Sequence, residues 1–267
     1  MTFFHFRDRY KDTLWNVVHS HQFNSEVFLM RCIFVGIEYA GKSTLVDLLT
    51  NYYRHRKLMV HVDDHFTIPD STLSPESRAA YVNFPDDVKE RMQRMQLQYH
   101  VEVIKNYPNT MIAGWHIEEL VYSSFYGDDP DSTYYSKYHI NAQRGYETQV
   151  IEARLPDVVM IHVDASDEAI VERMETDPHE YQIIKKADIP ELKRLFQEEI
   201  DRSLFAQKGR KIVLDTTEKT PSESLDELLL LSEPLVTFGE LAVRAMEVPD
   251  ADYEVRYENG VRKIVPA

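Results

Sequence analysis

A glycine-rich segment that begins at Gly36 constrains this chain more than any other stretch. Four apolar residues precede it, the segment reads Gly-Ile-Glu-Tyr-Ala-Gly-Lys-Ser, and a helix-like run follows from Thr44. A strand, a G-x-x-x-x-G-K-S loop and a helix in this order are the context in which the motif indicates a phosphate-binding P-loop. A chance glycine turn is the alternative, and the completeness of the motif and of its flanks argues against it.

The loop residues have separate predicted roles. Gly36 and Gly41 permit backbone angles that a side chain disfavours, so successive N–H groups can face phosphate oxygens. Lys42 can reach the β- and γ-phosphates, and the Ser43 hydroxyl can ligate Mg²⁺. We therefore expect ATP and Mg²⁺ as cofactors. The predicted nucleotide-binding residues of the loop are Gly36, Ala40, Gly41, Lys42, Ser43 and Thr44.

Composition narrows the classes of partner. The 267 residues include 45 acidic and 30 basic ones, which gives a formal net charge of −15. This balance disfavours a broad nucleic-acid footprint or an anionic membrane surface, whereas a small anionic ligand needs only a local basic cluster. The single cysteine, Cys32, excludes an intrachain disulfide. We find neither a membrane-spanning apolar run nor a signal-peptide pattern, so we expect a cytoplasmic protein.

Strand-like and helix-like segments alternate along the chain. The predicted strands cover 27–35, 57–62, 110–115, 156–164 and 211–215, and the predicted helices cover 42–55, 86–106, 141–154, 189–206 and segments that begin after Ser166 and Thr220. A tyrosine-rich stretch, 122–138, is interpreted as a loop. Such alternation predicts an α/β fold, a three-layer αβα arrangement with a five-stranded parallel sheet, and a ligand site at the carboxyl ends of the strands.

Three regions are expected along the chain. Residues 1–26 are interpreted as an N-terminal extension, 27–232 as the P-loop domain, and 233–267 as a C-terminal extension. The last segment alternates around Asn259 and Gly260, which predicts a β-hairpin with a type I′ turn. Contacts between two copies in a homodimer are one role that we consider for this hairpin.

Several segments resemble the thymidylate kinase and deoxynucleoside kinase group of P-loop kinases, over roughly residues 27–232. An acid at the position of Glu38 is typical of the thymidylate kinase loop, where it contacts the acceptor sugar. The helix that carries Arg94 resembles the one whose arginine faces the acceptor. The fourth strand and following helix, with Arg173, are similar to the family's, and the segment with Thr216 resembles the one near adenine. The resemblance implies the P-loop NTPase fold and kinase activity.

The chain departs from this group after its third strand. The family carries Asp-Arg or Glu-Arg there, and this sequence has Glu118-Glu119. One register aligns Glu118 with the family acid, which makes it a candidate Mg²⁺ ligand and Glu119 a candidate substrate contact. A second register aligns Gly114 with the acid. A solvated helix start is the alternative for both glutamates.

Two carboxylates end the second predicted strand. Asp63 and Asp64 are candidates for the general base, since a hydroxyl acceptor benefits from a carboxylate that accepts its proton. This segment is also similar to the aspartate segment of uridine-kinase-like enzymes. Neighbouring strand residues point to opposite faces, so we expect only one of the two to act. Capping of a loop is the alternative.

The lid that follows Arg173 lacks the arginine pair that is usual in the family. Since lysine cannot copy bidentate phosphate contacts, Lys185, Lys186, Arg173 or a partner must then stabilise the transferring phosphoryl group. We expect an ATP-dependent kinase of a small molecule, either a nucleoside or a nucleoside monophosphate. A kinase for another metabolite and a nucleotide-binding regulatory protein with weak or no kinase activity are the alternatives.

Overall fold

The structure is a computed structural model that describes residues 30–56, 58–64, 73–107, 109–127, 144–155, 157–245, 253–258 and 261–266. Its centre is a five-stranded parallel sheet. The strands are β1 (Cys32–Val35), β2 (His61–Asp64), β3 (Thr110–Ala113), β4 (Val159–Asp164) and β5 (Lys211–Asp215). They lie in the order β2-β3-β1-β4-β5. The order reverses at β1, and a ligand crevice is expected at this point.

Every residue of β1 and β3 is buried, which indicates that helices cover both faces of this sheet. The helices are α1 (Lys42–His55), α2 (Pro75–Val82), α3 (Asp86–Asn106), α4 (His116–Tyr126), α5 (Arg144–Ala153), α6 (Asp167–Thr176), α7 (Ile189–Arg202), α8 (Leu204–Gln207), α9 (Pro221–Ser232) and α10 (Phe238–Arg244). Ser166 caps α6 and Thr220 caps α9, as the sequence predicts. The predicted α/β fold class is confirmed.

Two predicted elements need correction. The loop predicted over 122–138 is wrong in its first part, because Tyr122 belongs to α4 and its ring packs against Phe196 with centroids 5.4 Å apart. Apolar residues at helical spacing earlier in α4 outweigh the tyrosine-rich composition. Residues 128–138 lie outside the described part of the chain. The second strand lies at His61–Asp64, further along than predicted, because it pairs with Thr110–Ala113.

The predicted hairpin is present near the C-terminal end. Strands β6 (Tyr253–Glu258) and β7 (Val261–Pro266) pair in antiparallel register. The Asn259 and Gly260 turn between them lies outside the described residues. In the described ranges, none of the helices combines the length and apolarity that a bilayer crossing requires.

A buried carboxylate of α10 connects this helix to α1. The fully buried Glu240 accepts hydrogen bonds from the Tyr53 hydroxyl and the Arg244 guanidinium. Its second oxygen accepts from the Met30 backbone N–H at 2.5 Å, directly before β1. Helix α10 therefore packs against α1 and against Met30, which precedes β1, and the domain boundary after residue 232 stays a prediction.

Loss of one donor to this carboxylate is expected to destabilise the protein. We expect Tyr53→Phe to lower the free energy of unfolding by about 2 kcal/mol, since a hydrogen bond to a buried charge contributes about 1.5–3 kcal/mol. Tyr52→Phe is the matched control, because the Tyr52 hydroxyl makes only a long contact of 3.5 Å with the Arg244 carbonyl. Urea unfolding followed by circular dichroism measures both, and equal losses would contradict the role of Glu240.

Candidate functional site

The loop between β1 and α1 has the conformation that its glycines predict. Gly36 has a φ of +151°, and a Cβ there would lie 2.1 Å from the backbone oxygen of Val163. Gly41, with a φ of +100°, directly precedes the first turn of α1. The chain therefore forms a compact loop at a helix N-terminus, where N–H groups without helical partners and the helix dipole favour an anion.

The side chain of Lys42 folds into this loop. Its Nζ donates to the carbonyl oxygens of Gly36 at 2.6 Å and Ile37 at 3.0 Å. The same Nζ lies 3.3 Å from Oε1 of Glu118, and that oxygen accepts a hydrogen bond from the Gly36 N–H at 3.2 Å. The structure thus brings together Lys42 and Glu118, which lie far apart in the sequence. This position is compatible with the first register, and the alignment of Glu118 with the family acid stays a prediction.

The two predicted metal ligands suit Mg²⁺. Ser43 is exposed in the first turn of α1, and Glu118 presents a carboxylate at the same loop. Mg²⁺ prefers oxygen ligands and takes few of them from the protein when phosphates supply the rest. In the ranges that the structure describes, no cluster of three or more His, Cys, Asp or Glu could hold a metal alone. The residues therefore fit a metal that is shared with nucleotide phosphates.

Glu38 binds the lid segment, which we define as residues 177–185. Its Oε2 accepts from the N–H groups of Ile183 at 2.9 Å and Ile184 at 3.1 Å. Its Oε1 lies 2.6 Å from Nδ1 of His179. The carboxylate thereby fastens the lid segment to the phosphate loop. The contact with an acceptor sugar that the resemblance implies stays a prediction.

Tyr39 forms the second attachment of the lid segment. Its ring stacks on His179 with centroids 4.0 Å apart and an interplanar angle of 16°. Its hydroxyl accepts a hydrogen bond from the backbone N–H of His179 at 2.9 Å and donates one to Oε1 of Gln182 at 3.1 Å. Burial raises the pKa of Tyr39, which keeps the hydroxyl protonated as a donor. Sequence reasoning missed this role, because aromatic residues inside the motif carry no general signal.

Arg173 and Thr216 lie far from the glycine loop in the sequence, and both contact it in the structure. The Arg173 guanidinium donates to the Tyr39 carbonyl at 3.0 Å and to the carbonyl and hydroxyl oxygens of Thr216 at 2.8 and 3.0 Å. The Thr216 hydroxyl in turn donates to the Ala40 carbonyl at 2.9 Å. Burial lowers the pKa of Arg173. A contact of Arg173 with a transferring phosphoryl group stays a prediction.

The two aspartates of β2 are less completely described. Oδ2 of Asp63 lies 3.5 Å from Nε2 of His100 and 3.9 Å from Nε2 of His61. Asp63 therefore turns toward α3. The side chain of Asp64 lies outside the described residues. The general-base role of one of the two stays a prediction.

The remaining predicted substrate contacts differ in burial. Arg94 has a side chain that is 62 % exposed and pairs with Glu90 within α3, with Nε 2.8 Å from Oε1. Glu118 and Glu119 are 9 % and 4 % exposed, so the alternative of a solvated helix start is wrong. Tyr81 of α2 lies near Glu119, and burial together with this carboxylate raises the pKa of Tyr81.

Helix α3 carries a buried polar face that the sequence analysis overlooked. Lys89, Gln93 and His100 are 5 %, 1 % and 1 % exposed. Among the described residues, neither Nε2 nor Oε1 of Gln93 has a hydrogen-bond partner. A buried carboxamide without partners is costly, and such groups often mark a ligand site. The recurrence of polar residues on one face of a long helix was the available signal.

The position of Gln93 follows from the packing of α3. Trp115, two residues after β3, donates from Nε1 to the Leu97 carbonyl at 3.4 Å. Helix α3 ends just before β3 begins and, as a crossover helix, runs opposite to it. Gln93 precedes Leu97 by four residues, so it lies about 6 Å further along the axis, beyond the carboxyl edge of the sheet. The phosphate loop occupies the same edge.

Comparisons with known proteins bear on the fold. No protein-family profile matches the sequence, and a search of curated proteins finds no match either. The structure is similar to thymidylate kinase from Candida albicans, with a TM-score of 0.54 and 16 % identity over 77 % of this chain and 91 % of that one. It is also similar to deoxyadenosine kinase from M. mycoides with bound dCTP, with a TM-score of 0.50 and 16 % identity over 75 % and 97 %. At this identity the similarity shows the fold alone, and the predicted α/β fold with a five-stranded parallel sheet is confirmed.

Proposed function

We propose that this chain is an ATP-dependent kinase that transfers a phosphoryl group either to the hydroxyl of a nucleoside or to the phosphate of a nucleoside monophosphate. The observation that carries the proposal is the meeting of Lys42 Nζ and the Glu118 carboxylate, 3.3 Å apart, inside a glycine loop at a helix N-terminus. The names of the two similar structures, a thymidylate kinase and a deoxyadenosine kinase, support the same class.

The residues account for the parts that phosphoryl transfer needs. Lys42 and the N–H groups of the loop would hold the β- and γ-phosphates, and Ser43 and Glu118 would hold Mg²⁺, which would neutralise phosphate charge. The acceptor oxygen bonds to the γ-phosphorus, the bond from that phosphorus to the bridging oxygen breaks, and ADP leaves. When the acceptor is a nucleoside, a carboxylate at the end of β2, Asp63 or Asp64, takes the proton of its hydroxyl.

The carboxamide of Gln93 favours a nucleobase on the acceptor. It places a donor and an acceptor side by side, which complements the amide-like edge of a base. Because Gln93 is buried, lacks a partner in the described ranges and lies beyond the carboxyl edge of the sheet, it suits a ligand with such an edge. A simple polyol does not need this pairing.

A screen by mass spectrometry tests the proposal. The protein is incubated with MgATP and with nucleosides, nucleoside monophosphates and sugars, and we expect one class of base-containing acceptor to gain a phosphoryl group. Gln93→Leu should raise KM for that acceptor about tenfold to a hundredfold, because an unpaired buried polar group costs about 1–3 kcal/mol. Gln98→Leu, on the exposed side of α3, should leave KM unchanged. Intact ATP binding without transfer to any acceptor would contradict the proposal and favour a regulatory nucleotide-binding protein.

A further inference from the structure

A transferring phosphoryl group carries charge that cations beyond the loop lysine usually neutralise. The lid segment contains no arginine, and it carries one histidine, His179, and one lysine, Lys185. The cationic side chains near the lid segment are Arg173, Lys185 and Lys186. Arg173 donates to the Tyr39 carbonyl and to Thr216. Lys185 is exposed, and Lys186 is exposed and pairs with Glu175.

His179 lies directly against the phosphate loop. Its Nδ1 is 2.6 Å from Oε1 of Glu38, and its ring stacks on Tyr39. Glu38 and Tyr39 are the third and fourth residues of the glycine motif, whose backbone faces the phosphates. The ring therefore borders the phosphate site from the lid side, held by a charged hydrogen bond and by a stacking contact.

The second ring nitrogen of His179 points to a ligand role. The side chain is 42 % exposed, and Nε2 makes no hydrogen bond with any residue that the structure describes. A carboxylate at Nδ1 makes that nitrogen the donor and sets the orientation of the ring. Contact with a phosphate oxygen requires a proton on Nε2 as well, which makes Nε2–H a second donor.

We propose that His179, oriented by Glu38, contacts the γ-phosphoryl group of ATP in place of a lid arginine. The inference rests on the proposed kinase function and adds a residue to it. Glu38 acts through the imidazole and is a positioning residue. Asp177 of the lid segment lies near Tyr39, on which the ring stacks, and Glu180, the residue after His179, pairs with Arg78 of α2.

Binding of nucleotides that differ only in the γ-phosphoryl group tests the contact without turnover. Calorimetry compares MgADP with MgAMP-PNP, a non-hydrolysable analogue of MgATP. We expect His179→Gln to weaken MgAMP-PNP about tenfold and MgADP less than twofold, since a hydrogen bond to a charged group is lost. Glu38→Gln should reduce the same discrimination by a smaller factor, and His55→Gln, an exposed histidine at the end of α1, should not change it.

A spectroscopic readout distinguishes contact from a merely structural role. The ring resonance of His179, assigned by its loss in His179→Gln, should shift more with MgAMP-PNP than with MgADP. Equal shifts and equal affinities would overturn the inference even if the protein transfers phosphoryl groups. Conversely, a difference between the two nucleotides without transfer to any acceptor would contradict the kinase proposal and leave the contact standing. His179→Arg should restore discrimination, because it returns a cation to the lid.

Discussion

Lys42→Ala is expected to lower kcat for phosphoryl transfer by about a thousandfold, because removal of one preorganised charge from such a site costs about 10²–10³-fold or more. The side chain of Lys42 is only 12 % exposed, and its ammonium is fixed by two loop carbonyls and by Glu118. It therefore cannot be replaced by solvent without loss of geometry. Steady-state kinetics with the acceptor found by the screen measures the effect, and circular dichroism shows whether the fold is kept.

Lys208→Ala is the matched control for this variant. Lys208 is exposed, follows α8 and makes no side-chain ion pair among the described residues. We expect its kcat and KM to stay within about twofold of wild type, as for surface substitutions in general. Retention of more than a tenth of the activity by a folded Lys42→Ala protein would contradict the role of the loop lysine. If the Lys42→Ala protein does not fold, Lys42→Met is measured in its place, because methionine keeps the aliphatic part of the side chain and lacks the charge.

Gly36→Ala is expected to reduce the free energy of unfolding by more than about 4 kcal/mol, the range reserved for severe packing or backbone damage. A Cβ at this position would lie 2.1 Å from the Val163 carbonyl oxygen. Neither backbone can move away cheaply, because β1 and β4 pair in the centre of the sheet, with Val35 opposite His162. The positive φ adds strain of its own.

Gly209→Ala separates the clash from the backbone angle. Gly209 has a φ of +70°, and an added Cβ would meet nothing within 4 Å. Only the left-handed conformation is then penalised, which costs about 1 kcal/mol. Urea unfolding and the yield of soluble protein compare the two variants. Recovery of Gly36→Ala only as aggregate agrees with the expectation, whereas equal losses of about 1 kcal/mol would contradict it.

The conformation of the glycine loop could be predicted from the sequence because the information for it is local. The motif, the strand before it and the helix after it follow one another within about twenty residues, and the bounds of α1 agree with the predicted 42–55. The bounds of α3 and β5 were also predicted, since periodicity and turn residues delimit them. The alternation of segments then specified the class of fold.

The lid contacts could not be predicted, because they depend on packing between distant segments. Glu38 and His179 are 141 residues apart, and no local pattern pairs them. The resemblance to the kinase group implies arginines in the lid, and the lid segment has none. Likewise, the burial of Gln93 depends on where α3 crosses the end of β3, which is fixed by the Trp115 contact. Such relations arise from tertiary structure and leave little trace in spacing.

Transfer of a labelled γ-phosphoryl group tests the central claim most directly. The protein and its Lys42→Ala variant are incubated in parallel with MgATP that carries radioactive phosphorus in the γ-position and with the pool of nucleosides and nucleoside monophosphates. The account predicts label on a base-containing acceptor with wild type and essentially none with the variant. Tight binding of ATP with label that stays in ATP, or passes only to inorganic phosphate, would contradict it.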